Sequence, residues 1–246
     1  MFDRIEIKTN AKKALKHFYA WGLLACFIYM LLSGDLGELW NGFRSIFYVN
    51  GYEGQSLLSE VSGTLLNSYH HHSIPSIGIR SMLFGSIFLI GGILIRVVYR
   101  FFIVNIVEVG LYSFFLKNRE KETNLNEMLS PFQKEYINVV KIRFLQDLYI
   151  WLWSLLFIIP GIIKRYEYYF VPYLLAENPQ LTEREAFQLS KTMTDGEKMN
   201  LFIFDLSFLG WLILGSFLGG IGQLLVQPYI YAARSEVYVC LKERKL

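Results

Sequence analysis

Charged residues are scarce in this chain, since Asp, Glu, Lys and Arg make up only 18% of its 246 residues. Soluble domains carry about 25%, so the deficit by itself indicates a membrane protein. The formal net charge of +3 is too small to favour a nucleic acid as a partner. Only two cysteines occur, Cys26 and Cys240, and both lie in apolar runs. We therefore predict neither a disulfide framework nor a zinc site.

Sequence motifs of known catalysis are also missing. The chain has no HExxH, no GxSxG, no phosphate-binding P-loop and no dinucleotide-binding glycine pattern. Its one histidine cluster, His70–His72, is a poor chelator because consecutive side chains point in different directions. The sequence therefore predicts no enzyme, no cofactor and no metal site.

Long apolar stretches are what the chain has instead. Five of them contain few or no charges: 14–33, 82–95, 144–163, 201–218 and 224–240. A helix needs about 20 mostly apolar residues to cross the roughly 30 Å of bilayer hydrocarbon. The first stretch follows a basic start and resembles a signal peptide, but no small-x-small cleavage site follows Met30–Ser33. We therefore predict an all-α membrane helix bundle whose first span is not cleaved.

The predicted organisation is one membrane domain over residues 1–246, with about six hydrophobic segments, the fourth of them short. Its parts are a first span (14–33), an outer loop (34–79), a second span with an interfacial continuation (82–116), a cytoplasmic segment (117–143), a helical hairpin (144–176), a cytoplasmic helix (182–194) and a second hairpin (199–240). Lys and Arg mark the cytoplasmic side of membrane proteins. Because they concentrate in 1–17, 117–143 and 242–245, we expect both termini and the middle segment to be cytoplasmic.

The stretch "WSLLFIIPGIIKRYEYYFVPYLLAENP" (153–179) contains a helix breaker and a charge cluster. Pro160-Gly161 is predicted to be the outer corner of the first hairpin, since proline and glycine interrupt helices. Residues 162–176 would then return across the membrane. Three charged side chains would lie at the outer mouth of the bundle: Lys164, Arg165 and Glu167. A competing interpretation has one interfacial helix here and fewer spans.

A capping box begins the predicted cytoplasmic helix. In "LTEREAFQLSKTMTDGEK" (181–198), Thr182 and Glu185 have the spacing at which a hydroxyl and a carboxylate satisfy each other's backbone amides. Apolar residues recur on one face of the following turns, which predicts an amphipathic helix.

Charges inside apolar stretches are costly and are functional hypotheses by default. Asp205 and Arg234 lie at equal depth if the last hairpin is symmetric about Gly219-Gly220, which predicts a direct ion pair. A structural pair and a proton or ion relay are both open interpretations. The other candidate intramembrane or interfacial charges are Arg96, Arg100 and Glu108.

Four stretches of the C-terminal half resemble a known family. They are "LWSLLFIIPGIIKRYEY" (152–168), "VPYLLAENPQLTEREAFQLSKTMTDGEK" (171–198), "LFIFDLSFLGW" (201–211) and "QPYIYAARSEVY" (227–238). They are similar to an uncharacterised family of bacterial integral membrane proteins, the domain of unknown function 975. The resemblance implies a multi-pass protein of the bacterial cytoplasmic membrane, and it implies no reaction.

Two functions from different classes fit these observations. Without a catalytic constellation, we favour a non-enzymatic accessory or interaction protein whose partners are the lipid bilayer and other membrane proteins. The alternative is a small transporter or channel subunit that uses the intramembrane charges, and a lipid-directed membrane enzyme is a more distant third. A dry, paired Asp205 favours the first function, whereas a water-filled path from Glu167 to Asp205 favours the second.

Overall fold

The computed structural model describes residues 2–34, 77–119, 125–133, 135–217 and 221–246. The regular elements in these ranges are α1 (Arg4–Ser33), α2 (Ile77–Tyr99), a π-helical segment (Arg100–Val104), α3 (Asn105–Lys117), a 3-10 helix (Leu125–Leu129), α4 (Ser130–Gln133), α5 (Tyr136–Leu156), α6 (Ile158–Glu167), α7 (Val171–Glu177), α8 (Glu183–Thr194), α9 (Lys198–Leu206), α10 (Leu209–Phe217) and α11 (Ile221–Lys245). The all-α prediction is confirmed for these residues. Three predicted features lie outside them: most of the outer loop 34–79, the cluster His70–His72 and the turn Gly219-Gly220.

Within the described ranges, three helical stretches are long and apolar enough to cross a membrane: Arg4–Ser33, Leu89–Lys117 and Lys198–Gly215. These helices fit a membrane protein. The predicted count of about six segments is not confirmed in the described ranges. One reason is that α5 ends at Leu156, which leaves only 13 residues of the apolar run that begins at Phe144. Another is that polar and charged residues, among them Arg234 and Glu236, lower the mean hydropathy of α11.

Helix α3 lies at the centre of the core. Most of its side chains are buried, including Ile106, Leu111 and Phe114, and it packs against α1, α5, α7 and α11. At Gly110 the backbone approaches the 3-10 helix so closely that an added Cβ would lie 2.0 Å from the Met128 carbonyl oxygen. The stretch that the sequence predicts as an interfacial continuation of span two is therefore a core helix.

Helices α5 and α6 form a hairpin whose corner is Phe157. The backbone of Phe157 is extended (φ −159°, ψ 149°), so the predicted corner at Pro160-Gly161 is wrong. Pro160 lies in the first turn of α6, where its missing N–H costs no helical hydrogen bond. Gly161 faces α5, and a Cβ there would lie 2.1 Å from the Ser154 hydroxyl oxygen. The two residues therefore start the second arm and let it pack closely, rather than reversing the chain.

The second arm of this hairpin is short. Helix α6 has ten residues and is about 15 Å long, half of the roughly 30 Å of bilayer hydrocarbon. A bend at Tyr168–Phe170 follows, and α7 is then buried in the core. Residues 162–176 therefore do not form the single return helix that the sequence predicts. The hairpin tip exposes a continuous set of large apolar side chains: Leu152, Trp153, Leu155, Leu156, Phe157, Ile158, Ile159, Ile162 and Ile163.

The polar segments of the chain meet at the opposite end of the bundle. Asn138 donates hydrogen bonds to the carbonyl oxygens of Pro179 (2.8 Å) and Leu181 (2.9 Å). Arg244 pairs with Glu197 at 2.7 Å, which brings the C-terminal end beside the start of α9. At the N-terminal end, the ring of Phe2 packs on Phe204 of α9 with centroids 5.9 Å apart. After α3, Arg119 pairs with Glu236 of α11. Both chain ends and the segments around 138 and 180 therefore lie together.

The predicted capping box is confirmed. The Thr182 hydroxyl accepts a hydrogen bond from the Glu185 amide, and the Glu185 carboxylate accepts one from the Thr182 amide at 2.8 Å. These two bonds satisfy backbone donors that the first turn of a helix leaves unpaired. Helix α8 begins after this box and buries Ala186, Ser190 and Met193.

Candidate functional site: an arginine-lined cavity between the helices

Asp205 of α9 and Arg234 of α11 lie together in the bundle. Arg234 donates from Nη2 (3.1 Å) and Nε (3.2 Å) to the same oxygen, Asp205 Oδ1. The guanidinium therefore grips one carboxylate oxygen and does not span both, as an ideal bidentate pair would. Two tyrosine hydroxyls complete the shell, since Tyr169 donates to Oδ1 at 3.0 Å and Tyr166 to Oδ2 at 3.3 Å.

A second arginine–carboxylate pair lies close by. Arg143 of α5 donates from Nη2 to Glu108 of α3 at 2.6 Å and from Nη1 to the Gln146 side chain at 2.7 Å. The Tyr112 hydroxyl donates to the other Glu108 oxygen at 2.8 Å. Sequence reasoning identified Glu108 but missed Arg143. Arg143 directly precedes an apolar run, a position that an interfacial lysine or arginine occupies equally well.

Both pairs border one cavity of about 390 Å³. Its charged lining consists of four arginines, Arg100, Arg143, Arg165 and Arg234, and three carboxylates, Glu108, Asp147 and Asp205. Arg143 and Arg234 pair with carboxylates, and the Asn105 amide donates to Asp147 at 3.0 Å. Within the described part of the chain, Arg100 and Arg165 have no ion-pair or hydrogen-bond partner. The lining therefore carries four positive against three negative charges, and these two arginines are exposed.

Two buried polar atoms of the cavity lining also lack partners. Arg143 Nε and the Tyr173 hydroxyl make no hydrogen bond to any described residue, although Arg143 is 6% and Tyr173 1% exposed. A buried polar group without a partner costs about 1–3 kcal/mol. An acceptor bound in the cavity would satisfy the Arg143 donor, since a guanidinium N–H only donates.

Glu167 belongs to a separate cluster. Lys164 donates to its Oε1 at 2.8 Å and Lys198 to its Oε2 at 2.9 Å, and Glu167 does not line the cavity. Its backbone carbonyl accepts hydrogen bonds from Ser190 and Thr194 of α8. Glu167 and Lys164 are thus held at the polar end of the bundle. Helix α6 ends beside α8 and α9, and the predicted position of Lys164 and Glu167 at an outer mouth of the bundle stays a prediction.

The third member of the predicted mouth cluster, Arg165, points away from Lys164 and Glu167 and lines the cavity. Arg100 lines it too, whereas Arg96, one helical turn earlier, is exposed and does not. Of the two ends of the predicted water-filled path, Asp205 lines this cavity and Glu167 does not. The cavity therefore does not connect the two carboxylates. Asp205 is therefore paired, as a structural role requires, but it also borders open space.

In the described ranges, no group of three His, Cys, Asp or Glu side chains lies close enough together to hold a metal ion.

The C-terminal part of the chain matches a known family model. Residues 156–245 fit the family described as protein of unknown function (DUF975). The match covers 90 of the 246 residues. The DUF975 region supplies Asp205 and Arg234 to the cavity, while Arg143 precedes it. Neither the curated proteins nor the solved structures contain a match to the chain.

Proposed function

We propose that this protein is a non-enzymatic membrane protein that binds an anionic group in its arginine-lined cavity and thereby acts as an accessory or interaction protein. The observation that carries the proposal is the pair of cavity arginines without partners, Arg100 and Arg165. Guanidinium groups suit carboxylate and phosphate because their fixed fork of donors matches two anion oxygens. The unpaired Nε of the buried Arg143 adds a third donor to the same space.

The proposed placement in the membrane has four crossings. Three are the helical stretches of sufficient length and hydropathy, in α1, α2–α3 and α9–α10. Helix α11 is the fourth, since its 25 residues extend about 37 Å and its Arg234 and Glu236 are paired inside the protein. The α5–α6 hairpin enters the bilayer without crossing it. An even number of crossings agrees with both chain ends lying at the lysine- and arginine-rich end, which we assign to the cytoplasm of a bacterium.

Calorimetric titration of the purified protein in neutral detergent with glycerol phosphate tests the binding proposal. We expect saturable binding that Arg165→Gln weakens about tenfold, because one charge-assisted hydrogen bond is lost. Arg184→Gln is the matched control: Arg184 is an exposed arginine of α8 outside the cavity, and its loss leaves binding unchanged. An absence of saturable binding, or the same loss in both variants, would overturn the proposal.

Transport is the second candidate function, favoured by the contact of the Asp205 carboxylate with the cavity. A carboxylate already paired with Arg234 competes with a bound anion for the guanidinium, and such competition would release the anion after it enters. Uptake of labelled phosphate into liposomes that contain the protein separates the two functions. The accessory function predicts the same uptake as empty liposomes. Uptake above that level, lost in Arg165→Gln, would establish transport instead.

A further inference from the structure

A second cavity of about 320 Å³ adjoins the first. Its walls are the aromatic and aliphatic side chains of Phe101, Phe144, Leu148 and Trp151, and it shares Arg100 and Asp147 with the polar cavity. The two spaces therefore meet at Arg100, which has no partner among the described residues, and at Asp147, which accepts a hydrogen bond from Asn105. One side of this junction is charged and the other is mainly apolar.

The π-helical segment creates this junction. It begins at Arg100, and its wider turn changes the direction of side chains relative to a regular α-helix. Arg100 consequently borders both spaces, whereas its neighbour Phe101 borders only the apolar one and packs edge-on against Phe144 with ring centroids 5.1 Å apart. Single π-helical turns of this kind are frequent at functional sites.

The apolar space opens towards the surface that the α5–α6 hairpin exposes. Phe144, Leu148 and Trp151 all lie on α5, and the side chain of Trp151 is 60% exposed. In the proposed placement this face of α5 enters the bilayer. Acyl chains, rather than water, would then be the solvent at the entrance, and tryptophan is typical of such a boundary.

We infer that the anionic ligand of the polar cavity is the phosphate headgroup of a lipid, and that the lipid's acyl chain lies in the adjoining groove formed by Phe101, Phe144, Leu148 and Trp151. This inference rests on the proposed function. A free anion would occupy only the polar cavity and leave the groove unused. An amphiphile uses both spaces, with Arg100 at the point where its charged and apolar parts join.

Quenching of Trp151 fluorescence by brominated lysophospholipids in neutral detergent micelles tests this assignment. Lysophosphatidic acid and lysophosphatidylcholine with the same brominated chain enter the micelle equally, so their difference reports the headgroup. The Trp151 signal is the difference between wild type and Trp151→Phe. We expect half-quenching at an about tenfold lower mole fraction of the anionic lipid. Glycerol phosphate added in excess restores the emission.

Two arginine variants test whether Arg100 determines the preference for the anionic lipid. Arg100→Gln abolishes the preference for the anionic lipid. Arg96→Gln retains it, because Arg96 lies one turn earlier on α2 and lines neither space. If Trp151→Phe does not fold, native mass spectrometry of lipid retained by wild type and the two arginine variants gives the same comparison.

The outcomes separate this inference from the proposed function. Equal quenching by the two lipids, or an equal preference in Arg100→Gln and wild type, overturns the lipid assignment. If glycerol phosphate still binds in the calorimetric titration, the anion-binding cavity stands without the acyl groove. If glycerol phosphate binds nowhere and the two lipids quench equally, both proposals fail.

Discussion

Glu167, which is buried, and Asp205, which is half-buried, are both carboxylates held by basic side chains, but their surroundings differ. Lys164 and Lys198 each occupy one oxygen of Glu167, whose side chain is 7% exposed and lines neither of the two cavities described above. Arg234 grips Asp205 through a single oxygen, beside a cavity whose arginines are only partly paired. Both carboxylate oxygens of Glu167 are satisfied, while the cavity leaves donors for another molecule, among them Arg143 Nε.

The difference shows how a structural charge cluster is distinguished from a binding site. A buried charge is stable when its partners satisfy it, and breaking such a cluster leaves an uncompensated charge. Donors that stay unsatisfied inside a cavity are costly and persist where a ligand completes them. Satisfaction of the hydrogen-bonding groups, rather than the presence of charge, therefore separates the Glu167 cluster from the cavity.

The largest expected loss of stability follows removal of the Glu167 carboxylate. Glu167→Gln should lower the free energy of unfolding in detergent by about 2–3 kcal/mol, because Lys164 and Lys198 then lose their shared counter-charge. Glycerol phosphate binding should be unchanged. Glu183→Gln is the control, since Glu183 forms a more exposed pair with Lys141 at 3.3 Å and such pairs contribute about 0–1 kcal/mol. Loss of phosphate binding in Glu167→Gln would contradict the separation of the two regions.

A smaller loss is expected at the cavity pair. Asp205→Asn should cost about 1–2 kcal/mol, since the amide oxygen still accepts a hydrogen bond from one tyrosine hydroxyl and the amide NH2 can donate to the other. Adding Arg234→Gln should cost little more, because residues in direct contact are coupled and the pair is already broken. Denaturant titration of both single variants and the double variant measures this. Two losses that simply add would mean that Asp205 and Arg234 act independently.

The smallest effect is the response of the Glu167 cluster to acid. Burial alone raises the pKa of Glu167, but hydrogen bonds from Lys164 and Lys198 outweigh it and keep the pKa below its ordinary value. A lowered pKa contributes stability above the unfolded-state pKa of about 4.3, and that stability is lost as the pH falls through the folded-state pKa. We expect the wild type to lose more stability than Glu167→Gln between about pH 6 and pH 3. Parallel curves for the two proteins would refute this contribution.

Local signals in the sequence were reliable guides. Thr182 and Glu185 predict a helix start because a capping box involves residues three positions apart, and that spacing is visible in the chain. Asp205 and Arg234 were assigned to each other by counting from a glycine turn, which works because two antiparallel helices of regular rise pass the same depth in reverse order. Each inference needs only helical geometry and residues close in sequence or linked by one short turn.

Long-range packing decided the rest. Pro160-Gly161 is a stronger breaker signal than Phe157, yet the chain turns at Phe157 because Gly161 is needed where α6 packs on Ser154. Glu167 lies at the polar end because the ten-residue α6 ends beside α8 and α9, which brings its carboxylate to Lys198, 31 residues away. Arg143 and Arg100 reach the cavity only through the contacts of α5 and the π-helical segment with α3. The sequence by itself determined the all-α class, the capping box that begins α8 and one ion pair. Only the tertiary structure decided which charges share a cavity, because that depends on how distant helices pack.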